Sequence, residues 1–443
     1  MTEPLNSGNI STRIQRIAEL AREHPERSFR SIHHAIDIQW LREAYRRTRK
    51  DGAVGVDTQT AADYAADLEG NLVRLLDRFK TGTYRAPNLR RAHIPKGGGE
   101  TRPIGIPTFE DEVLQTAVRM VLEALYEQDF MDCSWGFRPG RSAHGALDVL
   151  WKSVMSMRGA WVVEVDIESF FDTLDHTHLR DFLDHRVTDG VLRRVIHKWL
   201  KAGVLEGGRI LRPTGGTPQG GVISPLLANI YLHEVLDVWF AREVQPRLRG
   251  RAELIRYADD FVVVCEREDD ARRVLDVLPK RFGRFGLRLH PDKTRLVRFE
   301  RPVDDAGDRP ETFDFLGFTH YWGTSRRGKP VVKRKTARSR LRRSLRRVWL
   351  WCRAHRHDPL REQQSALAAK LRGHFGYFGI TGNARALECF RKGVLRAWRT
   401  WLDHRGGRRR MTWERFWRLL DHYPLPRARV ARSIYRPNAN ASA

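Results

Sequence analysis

Short runs rich in Val, Ile, Tyr and Phe alternate along the chain with longer segments whose apolar residues recur every three or four positions, the signatures of strands and helices. The clearest strand pair is LIRYADDFVVVC, where Leu254 to Tyr257 and Phe261 to Cys265 flank Asp259 and Asp260. This pattern predicts a β-hairpin with both carboxylates at its tip. A further strand is predicted in AWVVEVDIESFFD (Ala160 to Asp172), where Trp161, Val162, Val163, Val165 and Ile167 are apolar and Asp166 lies near the end. Leu89 to Pro107 reads as two strands around Lys96-Gly97-Gly98-Gly99, and FDFLGF (Phe313 to Phe318) as one more.

Helical spacing covers Ala35 to Lys50, Thr108 to Phe130 and Asp269 to Phe285, and a helix is predicted after Ser224 as N-cap with Pro225 at its first position. Later, Leu341, Leu345, Val348, Trp349 and Cys352 form one apolar stripe, and Leu387, Phe390, Val394, Trp398 and Trp401 another. A third helix is predicted at Trp413 to His422 behind Thr412. The tryptophans are expected in the core rather than as base-stacking platforms. Residues 1–30 are polar and mixed in charge, which predicts a mobile or weakly helical start. Helices interleaved with an antiparallel hairpin indicate an α+β fold rather than a Rossmann sheet.

The 443 residues are enough for two or three domains. No apolar run approaches the roughly 18 residues of a membrane span, and MTEPLNSGNI lacks the features of a signal peptide, so a cytoplasmic location is expected. Cys133, Cys265, Cys352 and Cys389 are widely separated, which argues against a zinc site or a disulfide framework. Charge changes the picture more. Residues 321–443 carry 32 Lys and Arg against 6 Asp and Glu, the whole of the net charge of +26, which leaves 48 of each sign in residues 1–320. A basic module appended to a neutral body suits a polyanionic partner, although a solvated basic face would look the same.

Adjacent acids at a strand junction repel one another unless a cation lies between them. Mg²⁺ accepts carboxylate oxygens together with water and phosphates, so Asp259 and Asp260 suit a nucleotide triphosphate site; a solvated turn is the plainer alternative. Asp166, costly to bury without a partner, would complete a two-metal phosphoryl-transfer site. Glu164, Glu168 and Asp172 compete for that role, and spacing does not choose among them. The glycine turn with Lys96 and Arg102 suits closure over a triphosphate, or is an ordinary hairpin. In SWGFRPGRSAH, Arg138 and Arg141 would face a nucleic-acid backbone or make salt bridges.

AWVVEVDIESFFD and RYADDFVVV, separated by GTPQGGVISPLLANIYL, resemble the palm of a reverse transcriptase of the group II intron type. IPKGGGETRPIGIP and SWGFRPGRSAH before them, and GLRLHPDKT and FDFLGF after, appear in that family's order, and LRGHFGYFGITGN resembles the thumb, or X domain, of intron maturases. The resemblance covers roughly residues 30–425. It implies a right-hand polymerase with an extension and the start of the fingers in 1–88, fingers and palm in 89–325, an all-helical basic thumb in 326–425 and a polar tail in 426–443. It also implies two Mg²⁺ ions on Asp166, Ile167, Asp259 and Asp260, with the three aspartates catalytic. Lys96, Arg102, Phe171, Gln219 and Lys293 would contact the dNTP, Phe171 lying under the sugar to exclude a 2′-hydroxyl. Arg138, Arg141, Arg342, Arg343, Arg346 and Arg347 would bind RNA. Implied partners are structured intron RNA, an RNA template, a DNA primer and dNTPs. Many members continue into a DNA-binding region and an endonuclease rich in Cys and His; the short tail here leaves target cleavage unexpected. Two other readings share these residues: a domesticated polymerase in repair or phage defence, and a splicing chaperone without polymerase activity.

Overall fold

The computed structural model describes residues 8–97, 100–157, 160–211, 215–217, 220–302, 310–405 and 410–432. In chain order the first helices are α1 (Ile10–Glu23), α2 (Ile38–Arg47), α3 (Ala61–Ala65) and α4 (Leu68–Thr81), followed by strands β1 (Leu89–Gly97) and β2 (Glu100–Ile106). Then come α5 (Phe109–Tyr126), α6 (Ala143–Ser156), β3 (Trp161–Asp166), α7 (Phe170–Thr173), α8 (His176–Arg186) and α9 (Gly190–Leu200). Strands β4 (Val204–Glu206) and β5 (Arg209–Leu211) precede α10 (Ser224–Leu232), the hairpin β6 (Ala252–Tyr257) and β7 (Asp260–Cys265), and α11 (Glu268–Arg284). The chain continues with β8 (Arg295–Arg298), β9 (Phe313–Phe315), β10 (Phe318–Thr324) and β11 (Pro330–Thr336), then α12 (Arg338–Ala354), α13 (Leu360–Phe378), α14 (Ala384–Asp403) and α15 (Trp413–His422). The fold is α+β, with a helical region at the end.

Two compact units divide the chain, one of residues 1–146 and 163–296, the other of residues 147–162 and 297–443. In the first, one sheet runs β2-β1-β4-β5, with β1 and β2 antiparallel and β1 parallel to β4. A second sheet runs β6-β7-β3-β8, and its β6–β7 hairpin closes on the pair Tyr257 and Asp260. Thr108 caps α5 by accepting the Asp111 amide, and Glu110, Asp111 and Glu112 complement the positive helix end. Where a mobile or weakly helical start is expected, the described residues from 8 onward hold α1, a capped helix with Ile17 and Ala21 buried. Its Arg13, fully buried, pairs with Asp37 at 3.1 Å and lies over the Trp40 ring. Ser224 is the first residue of α10 rather than its cap, and Ile223 takes the cap position without a side-chain bond.

In the second unit β9, β10 and β11 form an antiparallel sheet. FDFLGF is therefore two strands, turned at Leu316 and Gly317, whose φ values are 50° and 81°. Strand β11 occupies part of the segment expected to be helical, so the all-helical run starts at Arg338. Its core joins Val348 and Cys352 of α12, Leu367 and Leu371 of α13, Leu387, Val394 and Trp398 of α14, and Phe416 of α15. Among the described residues no helix is long and apolar enough to cross a membrane.

Candidate active site

Asp166 ends β3 and Asp260 begins β7, its neighbour in the sheet, while Asp259 lies in the β6–β7 turn, where the charge of Asp166 reaches it. Ala258, first in that turn, has φ 57°, a left-handed conformation costing an alanine roughly 1 kcal/mol. Asp259 is held above the ordinary carboxylate range, first by burial and then by the charge of Asp166, against the opposing pull of Arg102 and Arg256. Ile167 is buried and bridges Leu289, so only its main chain is placed to serve a ligand near Asp166. Lys293 Nζ donates to Asp166 Oδ2 at 2.7 Å. Of the competing acids, Glu164 pairs with Arg295 at 2.9 Å, whereas Asp172 is raised by burial against the lowering charges of Arg91 and Arg102.

The nucleotide candidates divide. Arg102 is exposed on β2 and its field reaches both Asp172 and Asp259. Arg91, which sequence reasoning passed over as an ordinary strand residue, acts on Asp172 from β1. Phe170 is the core member of the aromatic pair and Phe171 is half-exposed, their rings 5.4 Å apart edge to face. The Phe171 carbonyl accepts the Thr217 amide at 2.7 Å, which ties α7 to the start of the TPQGG loop. Lys96 lies in β1 beside an irregularity of the hairpin, and its side chain falls outside the description, as does Gln219.

Arg138 departs from its expected role. It is buried, pairs with Glu127 at 2.6 Å and donates to the carbonyls of Met131 and Ser134, so its guanidinium holds the loop together rather than facing nucleic acid. Arg141 is bound to the exposed Asp132 at 2.6 Å and lies over Trp135. On α12, Arg342, Arg346 and Arg347 are exposed and Arg343 is partly so. The tryptophans also differ from expectation: Trp398 is fully buried, but Trp349, Trp413 and Trp417 are 41, 40 and 49% exposed. Trp413 and Trp417 stack at 5.7 Å, with Arg399 over Trp413.

Among the described residues no three His, Cys, Asp or Glu side chains are gathered into a ready-made metal cage. The donor chemistry nevertheless fits Mg²⁺, which keeps several waters and takes only one or two carboxylates besides substrate phosphates. Mutual repulsion between Asp166 and Asp259, with a lysine ammonium already on one of them, marks a place where positive charge is favoured.

Comparison with known proteins gives this geometry its family. Residues 94–320 match the family model described as reverse transcriptase (RNA-dependent DNA polymerase). The chain is 34% identical over 308 residues to the group II intron-encoded protein LtrA of Lactococcus lactis subsp. cremoris, covering 66% of this chain and 50% of that one. It is also 34% identical over 333 residues to protein YkfC of Escherichia coli K12, 66% of this chain and 83% of the other. Nuclear intron maturase 3, mitochondrial, of Arabidopsis thaliana is 27% identical over 226 residues, 44% of this chain and 31% of the relative. The chain thus spans about half the length of the lactococcal relative. The matched segment takes in the β6–β7 hairpin, Asp166, Asp259, Asp260 and Lys293, and the chain belongs to the reverse transcriptase family.

Proposed function

We propose that this chain copies RNA into DNA and binds structured intron RNA as a maturase, with fingers and palm through about residue 325 and a basic thumb in 326–425. The observation that carries the polymerase reading is the Asp259 turn, next to β3 in the sheet order, where burial and the charge of Asp166 disfavour an ionised Asp259. Asp166, Asp259, Asp260 and the main chain of Ile167 would hold two Mg²⁺ ions. When bound, these ions favour ionisation of the primer 3′-hydroxyl and neutralise the departing pyrophosphate. The remaining work belongs to side chains of this chain. Arg102, Lys96 and Lys293 offset triphosphate charge, Phe171 excludes a 2′-hydroxyl beneath the sugar, and Gln219 lies beside the nascent base pair.

The maturase part is supported by the basic α12 face and by relatives named as intron-encoded proteins or maturases. Structured RNA is recognised by shape and backbone, which suits arginines spread along a helix. The test is primer extension on an RNA template with dNTPs and Mg²⁺, comparing the native chain with Asp259→Asn. DNA made by the native chain alone is expected. No product from either, alongside tight RNA binding, would replace the polymerase with a splicing chaperone.

A further inference from the structure

Arg256, the charged residue within LIRYADD, is fully buried, and so is its partner Asp237. All five of its N–H groups are engaged. Nε donates to Asp237 Oδ1 at 2.7 Å, and Nη2 donates to Asp237 Oδ2 and to Ser134 Oγ, the latter at 2.8 Å. Nη1 donates to Asn229 Oδ1 at 2.9 Å and to the Ala258 carbonyl at 3.1 Å. Asp237 ends a π-helical turn, His233–Asp237, a local underwinding that shifts side-chain direction along a helix.

The acceptor on Ala258 gives this cluster its significance, because that carbonyl belongs to the peptide whose nitrogen is Asp259. Ala258 is left-handed at the first position of a two-residue hairpin loop, where glycine is favoured. An alanine keeps that conformation only when its surroundings hold it. Gly136 supports it from the other side: a Cβ there would lie 2.4 Å from the Ala258 nitrogen, and the Gly136 carbonyl accepts Asn229 Nδ2 at 2.7 Å. The main chain of Arg256 is fixed as well, its N–H donating to Cys133 and its carbonyl accepting from Trp135, both at 2.8 Å.

We infer that Arg256 is a positioning residue: its guanidinium, set by Asp237 and Asn229, fixes the Ala258–Asp259 peptide and thereby the place of the Asp259 carboxylate. The inference rests on the polymerase reading only in taking Asp259 as a metal ligand. A lysine preserves the charge but cannot span Asp237, Asn229 and Ala258 at once, since it lacks the planar fork. A buried ion pair with a merely structural role has no need of that fork at the turn.

The test compares Arg256→Lys with Ser134→Ala, which removes a bond to the same guanidinium on the side away from the turn. Three readouts are taken on the full chain: deuterium uptake of the peptide spanning 254–265, Mn²⁺ affinity by paramagnetic resonance, and primer extension. In Arg256→Lys, uptake at the turn rises, Mn²⁺ affinity falls about ten- to a hundredfold, and kcat drops while the dNTP KM stays within about twofold. Ser134→Ala lowers the melting temperature but leaves metal affinity and kcat as in the native chain. If Arg256→Lys does not fold, Asn229→Leu, which keeps the Arg256–Asp237 pair, must show the same loss of Mn²⁺ affinity. Equal melting losses in the lysine and serine variants, or in the leucine variant, with native Mn²⁺ affinity throughout would overturn the inference. A native chain that makes no DNA yet shows the Arg256-specific loss of Mn²⁺ would sink the polymerase reading and uphold the clamp.

Discussion

Lys293 Nζ lies 2.7 Å from Asp166 Oδ2, so one carboxylate of the proposed metal site already has a cation on it. Both side chains are more than a third exposed, and such pairs contribute only about 0.2–1 kcal/mol. Lys293→Met should therefore lower the half-saturating Mg²⁺ concentration by about two- to fivefold while raising the KM for dNTP. Titrating Mg²⁺ and dNTP separately in primer extension checks both directions. An unchanged Mg²⁺ requirement would show that the ammonium does not compete with the metal.

Asp259 is raised by burial and by Asp166, so its ionised form weakens the fold. The penalty is absent below the ordinary carboxylate range and sets in as pH rises through the shifted value. Asp259→Asn removes it. In chelator at pH 7 the variant should melt at the native temperature or up to about a few degrees above it, and the gain should vanish near pH 4, while synthesis is lost. Calorimetry at the two pH values decides; a large loss of stability would refute the electrostatic account.

Arg342 and Arg346 are exposed on α12, whereas Arg138 is buried against Glu127. Replacing the first two by glutamine should reduce the slope of log K against log salt for RNA by about 1.4–1.8. Arg138→Gln should leave that slope alone and cost about 3–5 kcal/mol of stability by stranding a carboxylate. RNA titrations across a salt series, paired with urea melts, separate the two classes of arginine.

His320 is fully buried, its ring stacked 4.7 Å from Phe313, and neither ring nitrogen has a hydrogen-bond partner among the described residues. Burial, helped by Arg334, pushes it down to about 3. The unfolded chain takes up that proton near pH 6.5, so stability is lost as pH falls from there. His320→Phe should add about 1–3 kcal/mol and flatten the decline between pH 6 and pH 4. Urea melts at both pH values measure this; an unchanged acid slope would mean that other groups dominate.

The hairpin around Asp259 and the strand ending at Asp166 were legible because acids interrupting apolar runs have few structural explanations. Helix α1 was not, because Arg13 reaches Asp37 and Trp40, contacts made beyond its own segment. Helix α13 contains two glycines of LRGHFGYFG and has the third, Gly379, at its C-cap, yet Leu367, Leu371 and Phe375 lie in the core. Arg138 and Arg342 illustrate the limit of composition: a guanidinium in a polar stretch looks the same whether it is buried on glutamate or open to solvent. Arg256 stood in plain view within a buried strand, where a charge among apolar neighbours calls for a partner. Asp237, that partner, was hidden by the register of a π-helical turn.

The second compact unit is assembled from two separated stretches, residues 147–162 and 297–443. On the ribosome its first piece emerges long before the rest, and at about 5–20 residues per second the wait for residues 163–296 is on the order of ten to thirty seconds. Trp151, whose indole nitrogen finally donates to Val332 at 3.0 Å, spends that interval without its partner. A nascent chain of this protein therefore carries most of α6 and the start of β3 through that interval before the rest of their unit has been made.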